Sequence, residues 1–304
     1  MEDKDARKND IDYMAALINK ILADSGMTSR EAVAALPTFS VFSSIINLSN
    51  VSNLSQKDLE SAVYWEAKKV IPLPLEEMKL YWQEIEDSGP KDNKKIFLTG
   101  APKVLVNRYI EIFKKAQINL LSLETETHSL ARALLGNDKS IVMIVEIGAN
   151  TTDIAIIDAS IPVLSRSIDI GGLTITKAIS NNLNIGMERA EQFKYDLGIS
   201  SLSFENSVIP KTIAETITPI INEIKYSLNL FENKNSKQVE KIIMSGGSSL
   251  LIDFTAYLSK ILDKKVIVGD PWARVSCPIE LKPTLDELGP RMSIAIGLAL
   301  KGLE

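Results

Sequence analysis

The sequence predicts an α/β protein, and three observations carry that expectation. Short apolar runs that end in glycine, IFLTG at 96–100 and KVIVG at 265–269, have the length and composition of buried strands. Between such runs lie stripes at helical spacing, the longest over 211–231, where Ile213, Ile217, Ile220, Ile221, Ile224, Leu228 and Phe231 share one face. Residues 140–170 read as three successive strands, turning at Gly148–Thr152 and Asp158–Ile161, so antiparallel hairpins accompany the crossovers.

Taken in order, a charged tail over 1–9 precedes a helix in which Ile11, Met14, Leu17, Ile18, Ile21 and Leu22 recur at helical spacing up to Gly26. Two strands follow around Pro37, within 31–48. Ser55 suits the N-cap of a helix whose apolar face is Leu59, Ala62, Val63 and Val70, and Pro72 and Pro74 end it. Trp65 on that helix is expected in the core. A strand at 78–85 leads into SGPKDNKK at 88–95, a polar, turn-rich boundary. After IFLTG, Pro102 suits the first turn of a helix running to about Ala116, and a short strand and another helix fill 118–135. Beyond the meander come helices at 173–183 and 187–196, then the long helix, which Pro219 should bend. VEKIIMSGGSSLLIDFTAYLSKIL reads as strand, Gly-Gly turn and helix; KVIVG is a strand; MSIAIGLALKGL is a closing apolar helix.

Composition narrows the function classes. With 45% apolar and 24% charged residues over 304 positions, this is ordinary globular composition, long enough for more than one domain. The net charge is −5 with both signs interspersed, which argues against a nucleic-acid footprint. A single cysteine, Cys277, excludes an intrachain disulfide framework and fits a reducing compartment. No apolar run approaches a membrane span, and MEDKDARKND lacks a signal-peptide core, so the reading is cytosolic, with any membrane contact made through a partner. His128 is the only histidine, which excludes a histidine-based metal cluster or triad and leaves it a surface or packing role.

The chemistry concentrates in IVMIVEIGANTTDIAIID at 141–158. Glu146 precedes Gly148 at the end of an apolar strand, with Asn150, Thr151 and Thr152 behind it. Bare glycine amides and hydroxyls bind oxyanions, and a carboxylate beside them is tolerated only if it acts through a metal or water. The stretch therefore fits a triphosphate with Mg²⁺; the plainer alternative is a polar hairpin turn, for which Asn and Thr are common. Three further pieces accompany it: Gly171-Gly172 at a strand end before a helix, Gly246-Gly247 with Ser248-Ser249 between a strand and a helix, and AIGLAL near the C-terminus. Glu191 and Lys194 lie on one helix face at i, i+3, as a ligand pair or as a solvated charge pair.

In this order the four pieces resemble the actin-like ATPase superfamily, whose fold is ribonuclease H-like and two-lobed. VEIGANTTDIAII is similar to its second phosphate hairpin, GGLTITKAI and AIGLAL to its two connecting segments, and MSGGSSLL to its adenosine motif. PLPLEEMKLYW, EIKYSLNLF, KVIVGDPWARV and the closing GLALKGL further resemble the PilM family of type IV pilus assembly proteins. The resemblance implies a small α/β insertion over 31–94, a first lobe over 95–140 with the helix at 291–304, a second lobe over 141–290, and a tail with one helix over 1–30. It implies ATP between the lobes, phosphates on Gly148, Asn150, Thr151 and Thr152, the connecting segment at Gly171 and Gly172, adenosine flanked by Gly246, Gly247 and Ser248, and ribose or base reached by Glu191 and Lys194. Glu146 would act on Mg²⁺ indirectly, through water.

The family role implied is an ATP-binding cytoplasmic scaffold at the inner membrane. It would recruit the cytoplasmic N-terminal tail of PilN, meet other inner-membrane and motor components in pilus biogenesis, twitching motility and competence, and leave homo-oligomerisation open. The rivals on the same fold are an active ATPase, a sugar kinase, for which no general-base carboxylate stands out, and an FtsA-like filament. Two departures qualify the match. Residues 1–30 hold nothing like the superfamily's opening Asp-x-Gly hairpin, so the chain either starts after it or dispenses with it. Glu146 stands where the second hairpin usually has aspartate, and the extra methylene predicts phosphate grip with slow or no hydrolysis.

Overall fold

A computed structural model describes residues 2–49, 51, 54–85, 93–199, 208–235 and 237–302, the side chains of 2–9, 234 and 235 apart. The expected boundary at 88–95 falls largely outside these residues. The chain divides into two compact units after Thr125.

In the first unit, β1 (Glu31–Leu36) pairs in parallel with β5 (Asn119–Thr125). Helices α1 (Glu2–Asp24) and α3 (Lys103–Lys115) belong to the same small core, in which Ala15, Ala116 and Ile118 are buried beside Ile18, Leu22, Ala32 and Phe113. A second sheet is antiparallel in the order β2 (Phe42–Ser49), β4 (Asn93–Pro102), β3 (Met78–Ile85). IFLTG therefore lies in a central strand bonded on both sides. Helix α2 (Gln56–Val70) packs Leu59, Val63 and Ala67 into this sheet's core with Ile46, Leu48, Ile96 and Leu98. Ser55 caps it, accepting a hydrogen bond from the Asp58 amide at 3.3 Å.

Two expectations for α2 need correction. Val70 is exposed, and the stripe is completed by Ala67 at the i+4 spacing from Leu59 and Val63. Trp65 is 62% exposed. At about 100° per residue it stands some 200° round the helix from Val63, away from the core. It rests edge-on to Tyr64 with Lys68 over its ring.

The second unit is built on a five-stranded sheet in the order β10, β9, β6, β7, β8. Strands β6 (Val142–Ile147), β9 (Lys241–Ser245) and β10 (Lys265–Val268) run parallel; β7 (Thr152–Asp158) and β8 (Ile161–Ile168) complete the expected meander. Alternation of side chains divides the sheet between two cores. Met143, Val145, Ile147, Ile154 and Ile156 face α5 (Gly172–Leu183), α6 (Met187–Leu197), α7 (Val208–Asn235) and α8 (Phe254–Leu262). Val142, Ile144, Ala155, Ile157 and Ile243 face α4 (Glu126–Leu135), with Ile294 of α9 (Lys282–Ala299) packed against them. Pro219 lies inside α7, and α9 begins ten residues before the predicted closing helix and runs through Pro290. Among the described residues no helix is long and apolar enough to cross a membrane.

Candidate functional site

The β6–β7 turn is locked from behind by the start of α5. The Gly172 amide donates to the Gly148 carbonyl and the Leu173 amide to the Ala149 carbonyl, both at 2.8 Å. A trans peptide points its N–H opposite to its C=O. Pinning those two carbonyls on α5 therefore turns the Ala149 and Asn150 amides outward, together, from an exposed turn. Neither amide, nor that of Thr151, has an acceptor among the described residues. Successive outward N–H groups of this kind form an anion-binding concavity.

The lock explains Gly171. Its φ of −145° is open to any residue, but a Cβ there would lie 2.6 Å from the Ala149 carbonyl oxygen and 2.8 Å from the Asn150 carbonyl carbon. Gly246 is constrained twice: its φ is +79°, and a Cβ would lie 2.3 Å from the Ile147 carbonyl oxygen and 2.8 Å from Glu146 Oε1. A Cβ on Gly172 would lie 2.8 Å from Ser248 Oγ and 3.5 Å from the Gly148 carbonyl oxygen. Gly148, Gly171, Gly172, Gly246 and Ser248 thus converge on one place.

Three predicted roles change. Thr152 is fully buried and its hydroxyl donates to the Ile170 carbonyl at 2.6 Å, so it braces the hairpin and offers nothing to a ligand. The Gly148 amide donates back to the Thr151 carbonyl at 3.0 Å, so the turn's free donors are the amides of 149–151. Lys194 is not a solvated charge: its side chain is 2% exposed, and Nζ meets Glu191 Oε2 at 2.7 Å, Thr176 Oγ1 at 3.0 Å and the Gly172 carbonyl at 3.3 Å. With three acceptors already around it, the ammonium joins α6 to the start of α5 and steadies Glu191, whose side chain is 43% exposed. Burial lowers the Lys194 pKa, and Glu191 opposes that shift.

Sequence reasoning missed the partner of Glu146. The register places Ser245, Glu146, Asp153 and Ser167 in one row across β9, β6, β7 and β8, on the α4 face of the sheet. Burial pushes Glu146 up to about 8, and the nearby charges of Asp153 and Glu126 push the same way. Burial also raises Asp153, with the Ser167 hydroxyl opposing it. Asp153 Oδ1 is buried with no hydrogen-bond partner. Two carboxylates in such surroundings favour a shared proton or a cation. The signal was available: Asp153 has the strand parity of the buried Ala155 and Ile157, so a carboxylate there points inward. Among the described residues no group of three or more His, Cys, Asp or Glu could hold a metal by itself. The pair fits the usual Mg²⁺ arrangement, in which one or two carboxylates are supplemented by phosphate and water.

The sheet order, the hairpin and the glycine turn define an actin-like protein. Solved structures of MreB5 from Spiroplasma citri share the fold: one with ADP superposes with a TM-score of 0.53, at 16% identity over 96% of this chain and 76% of that one. A second, bound to AMPPNP, gives 0.51 at 17% identity over 67% and 66% of the two chains. The family model for type IV pilus assembly protein PilM matches residues 2–303, and the chain belongs to that family. A solved PilM–PilN type IV pilus biogenesis complex superposes with a TM-score of 0.81, at 22% identity over 96% of this chain and 85% of that one. Cell division protein FtsA of Neisseria meningitidis is 30% identical over 179 residues, 52% of this chain but only 41% of FtsA's length.

Proposed function

We propose that this member of the pilus assembly family is a nucleotide-binding scaffold that takes ATP with Mg²⁺ at the β6–β7 turn and hydrolyses it slowly or not at all. The observation that carries the reading is the pair of outward amides at Ala149 and Asn150, held by α5. Such amides grip phosphate without a cationic side chain. Thr151 and Asn150 would add polar contacts, the Gly246-Gly247 turn would flank the nucleoside, and Glu191 would meet the ribose. Mg²⁺, when bound, would neutralise phosphate charge beside Glu146 and Asp153. Glu146 reaches one methylene further than the aspartate expected there, which displaces the carboxylate from the place where it would orient an attacking water and supports slow turnover. Solved MreB5 structures with AMPPNP and ADP add plausibility to nucleotide binding.

The partner reading is a PilN tail, supported by the likeness to the PilM–PilN complex, with the protein held peripherally at the inner membrane through that contact. The insertion that would contribute to the groove is best drawn as the β2–β4–β3 sheet with α2, residues 42–102, because β1 pairs with β5 instead. The test is calorimetric titration of ATP with Mg²⁺ beside a phosphate-release assay on the same sample. Saturable binding with little release is expected. Glu146→Asp should raise release with affinity little changed, since a displacement of about 1 Å can cost on the order of a hundredfold in rate. Robust release that Glu146→Ala abolishes would instead identify an active ATPase.

A further inference from the structure

We propose that the outer face of α2 pairs with the same face of a second copy of this chain, the two helices antiparallel about a two-fold axis. The inner face of α2 is committed to the core through Leu59, Val63 and Ala67. On the outer side Asp58, Ala62, Trp65 and Lys69 recur at i, i+4, i+7 and i+11. At about 100° per residue these four fall within about 60° of arc, which is the seam spacing by which one helix packs along another. Asp58, Trp65 and Lys69 are exposed, and Ala62 is partly buried at the rim of the core. Trp65 is also held in place. Tyr64 meets it edge-on with ring centroids 6.0 Å apart, and Lys68 Nζ lies 5.6 Å from its centroid. An indole in water with its orientation already set is a strong anchor once covered.

The order of the four residues selects the occupant. An antiparallel register that puts Asp58 opposite the partner's Lys69 also puts Ala62 opposite the partner's Trp65, and the two-fold repeats both contacts. Acid meets base at each end, and a large ring meets a small side chain twice in the middle. A parallel pair would instead set acid on acid and base on base. The charged groups have capacity for the contact. Asp58 Oδ2 accepts from the Ser55 hydroxyl at 2.6 Å, which leaves Oδ1 for a further donor. Lys69 Nζ holds Glu66 at 2.5 Å and has two more N–H groups. An anionic lipid surface fits less well, because Lys57, Lys68 and Lys69 are matched on α2 by Asp58, Glu60 and Glu66. One pair of 15-residue helices buries less than the roughly 1,200 Å² of a stable complex, and Lys57 and Lys68 repel their counterparts along one rim, so the dimer is weak and reversible.

The test is sedimentation equilibrium of the whole chain over a wide concentration range, as wild type, Trp65→Ala, Asp58→Lys and Lys69→Asp. Wild type should pass from monomer to dimer at micromolar concentrations or above. Trp65→Ala should weaken the dimer at least about tenfold, with melting unchanged because the ring lies outside the core. Asp58→Lys and Lys69→Asp should each weaken it as well. An equimolar mixture of those two should associate again, since opposite charges then face each other at both ends of the mixed pair. Asp58 also serves the start of α2, so melting curves check that variant, and Trp65→Ala and Lys69→Asp carry the test if it fails to fold. A wild type that stays monomeric at every concentration would overturn the pairing. So would a dimer that Trp65→Ala leaves intact, which would place association elsewhere, as on the open edges of β1 and β5. Folded charge variants whose mixture associates no better than either alone would overturn the antiparallel register. A monomeric chain that sediments with phosphatidylglycerol vesicles, and loses this in Trp65→Ala, would assign the face to lipid and overturn the proposal.

Discussion

Glu146 and Asp153 face each other across β6 and β7, and their proximity sets a pH dependence. A carboxyl raised from 4.5 to about 8 binds its proton more tightly in the folded chain than in the unfolded one. The stabilisation from that proton is complete below pH 4.5 and is lost as pH rises through about 8. The melting temperature should therefore decline across this window. Glu146→Gln, neutral at every pH, should flatten the decline and gain on the order of 1–2 kcal/mol over wild type at pH 8. A parallel decline in wild type and variant would mean the proton sits elsewhere. Mg²⁺–ATP should bind more tightly as pH rises from 6.5 to 8, since a cation at this pair displaces the proton. The two threonines of the turn part company in the same experiments. Thr152→Ala removes a buried hydrogen bond and should cost about 1–2 kcal/mol of stability. Thr151→Ala should leave melting within about 0.5 kcal/mol and weaken ATP, as judged by calorimetry.

The hairpin and α5 work as one element because Gly171 lets them touch. Gly171→Ala must push the Ala149 carbonyl away, which breaks the lock that aims the two amides. ATP affinity should fall at least about tenfold in a variant that still folds, and a variant that binds ATP normally would show that the amides do not need α5. Much at this scale was legible from sequence. The β6–β7–β8 meander and the helices after it follow from apolar runs broken by turn residues, and the glycine pairs mark where backbone meets backbone. What escaped depends on neighbours distant in the chain. An i, i+3 Glu-Lys pair reads the same whether solvated or, like Lys194, buried against the start of another helix. A threonine in a turn reads as a ligand until its hydroxyl is seen to donate to Ile170.

Across the whole molecule the units differ in how far their backbone is protected. In the second unit Val142, Met143, Ile144 and Val145 have no exposed surface, and β6 is bonded on both sides, to β7 and β9. In the first unit β4 is likewise central, between β2 and β3, and Ile96 and Leu98 are fully buried. By contrast β1 and β5 pair only with each other among the described residues, so each leaves one edge unpaired, and Leu121 on β5 is 56% exposed. Amide exchange reports the free energy of local opening, which is small where few apolar contacts and many open edges coincide. Exposed edges also invite pairing with other chains. Residues 31–36 and 119–125 should therefore exchange at least about a hundredfold faster than 142–147, with 96–100 slow. Adding a PilN tail peptide should slow the 42–102 amides if the groove lies on that sheet, and Mg²⁺–ATP should slow those of 148–152. The two effects are separable in one exchange experiment. Uniform slow exchange across 31–36 and 119–125 in the free chain would show that the two-stranded sheet is covered in solution, and a PilN peptide that protects 31–36 and not 42–102 would place the groove on that open edge.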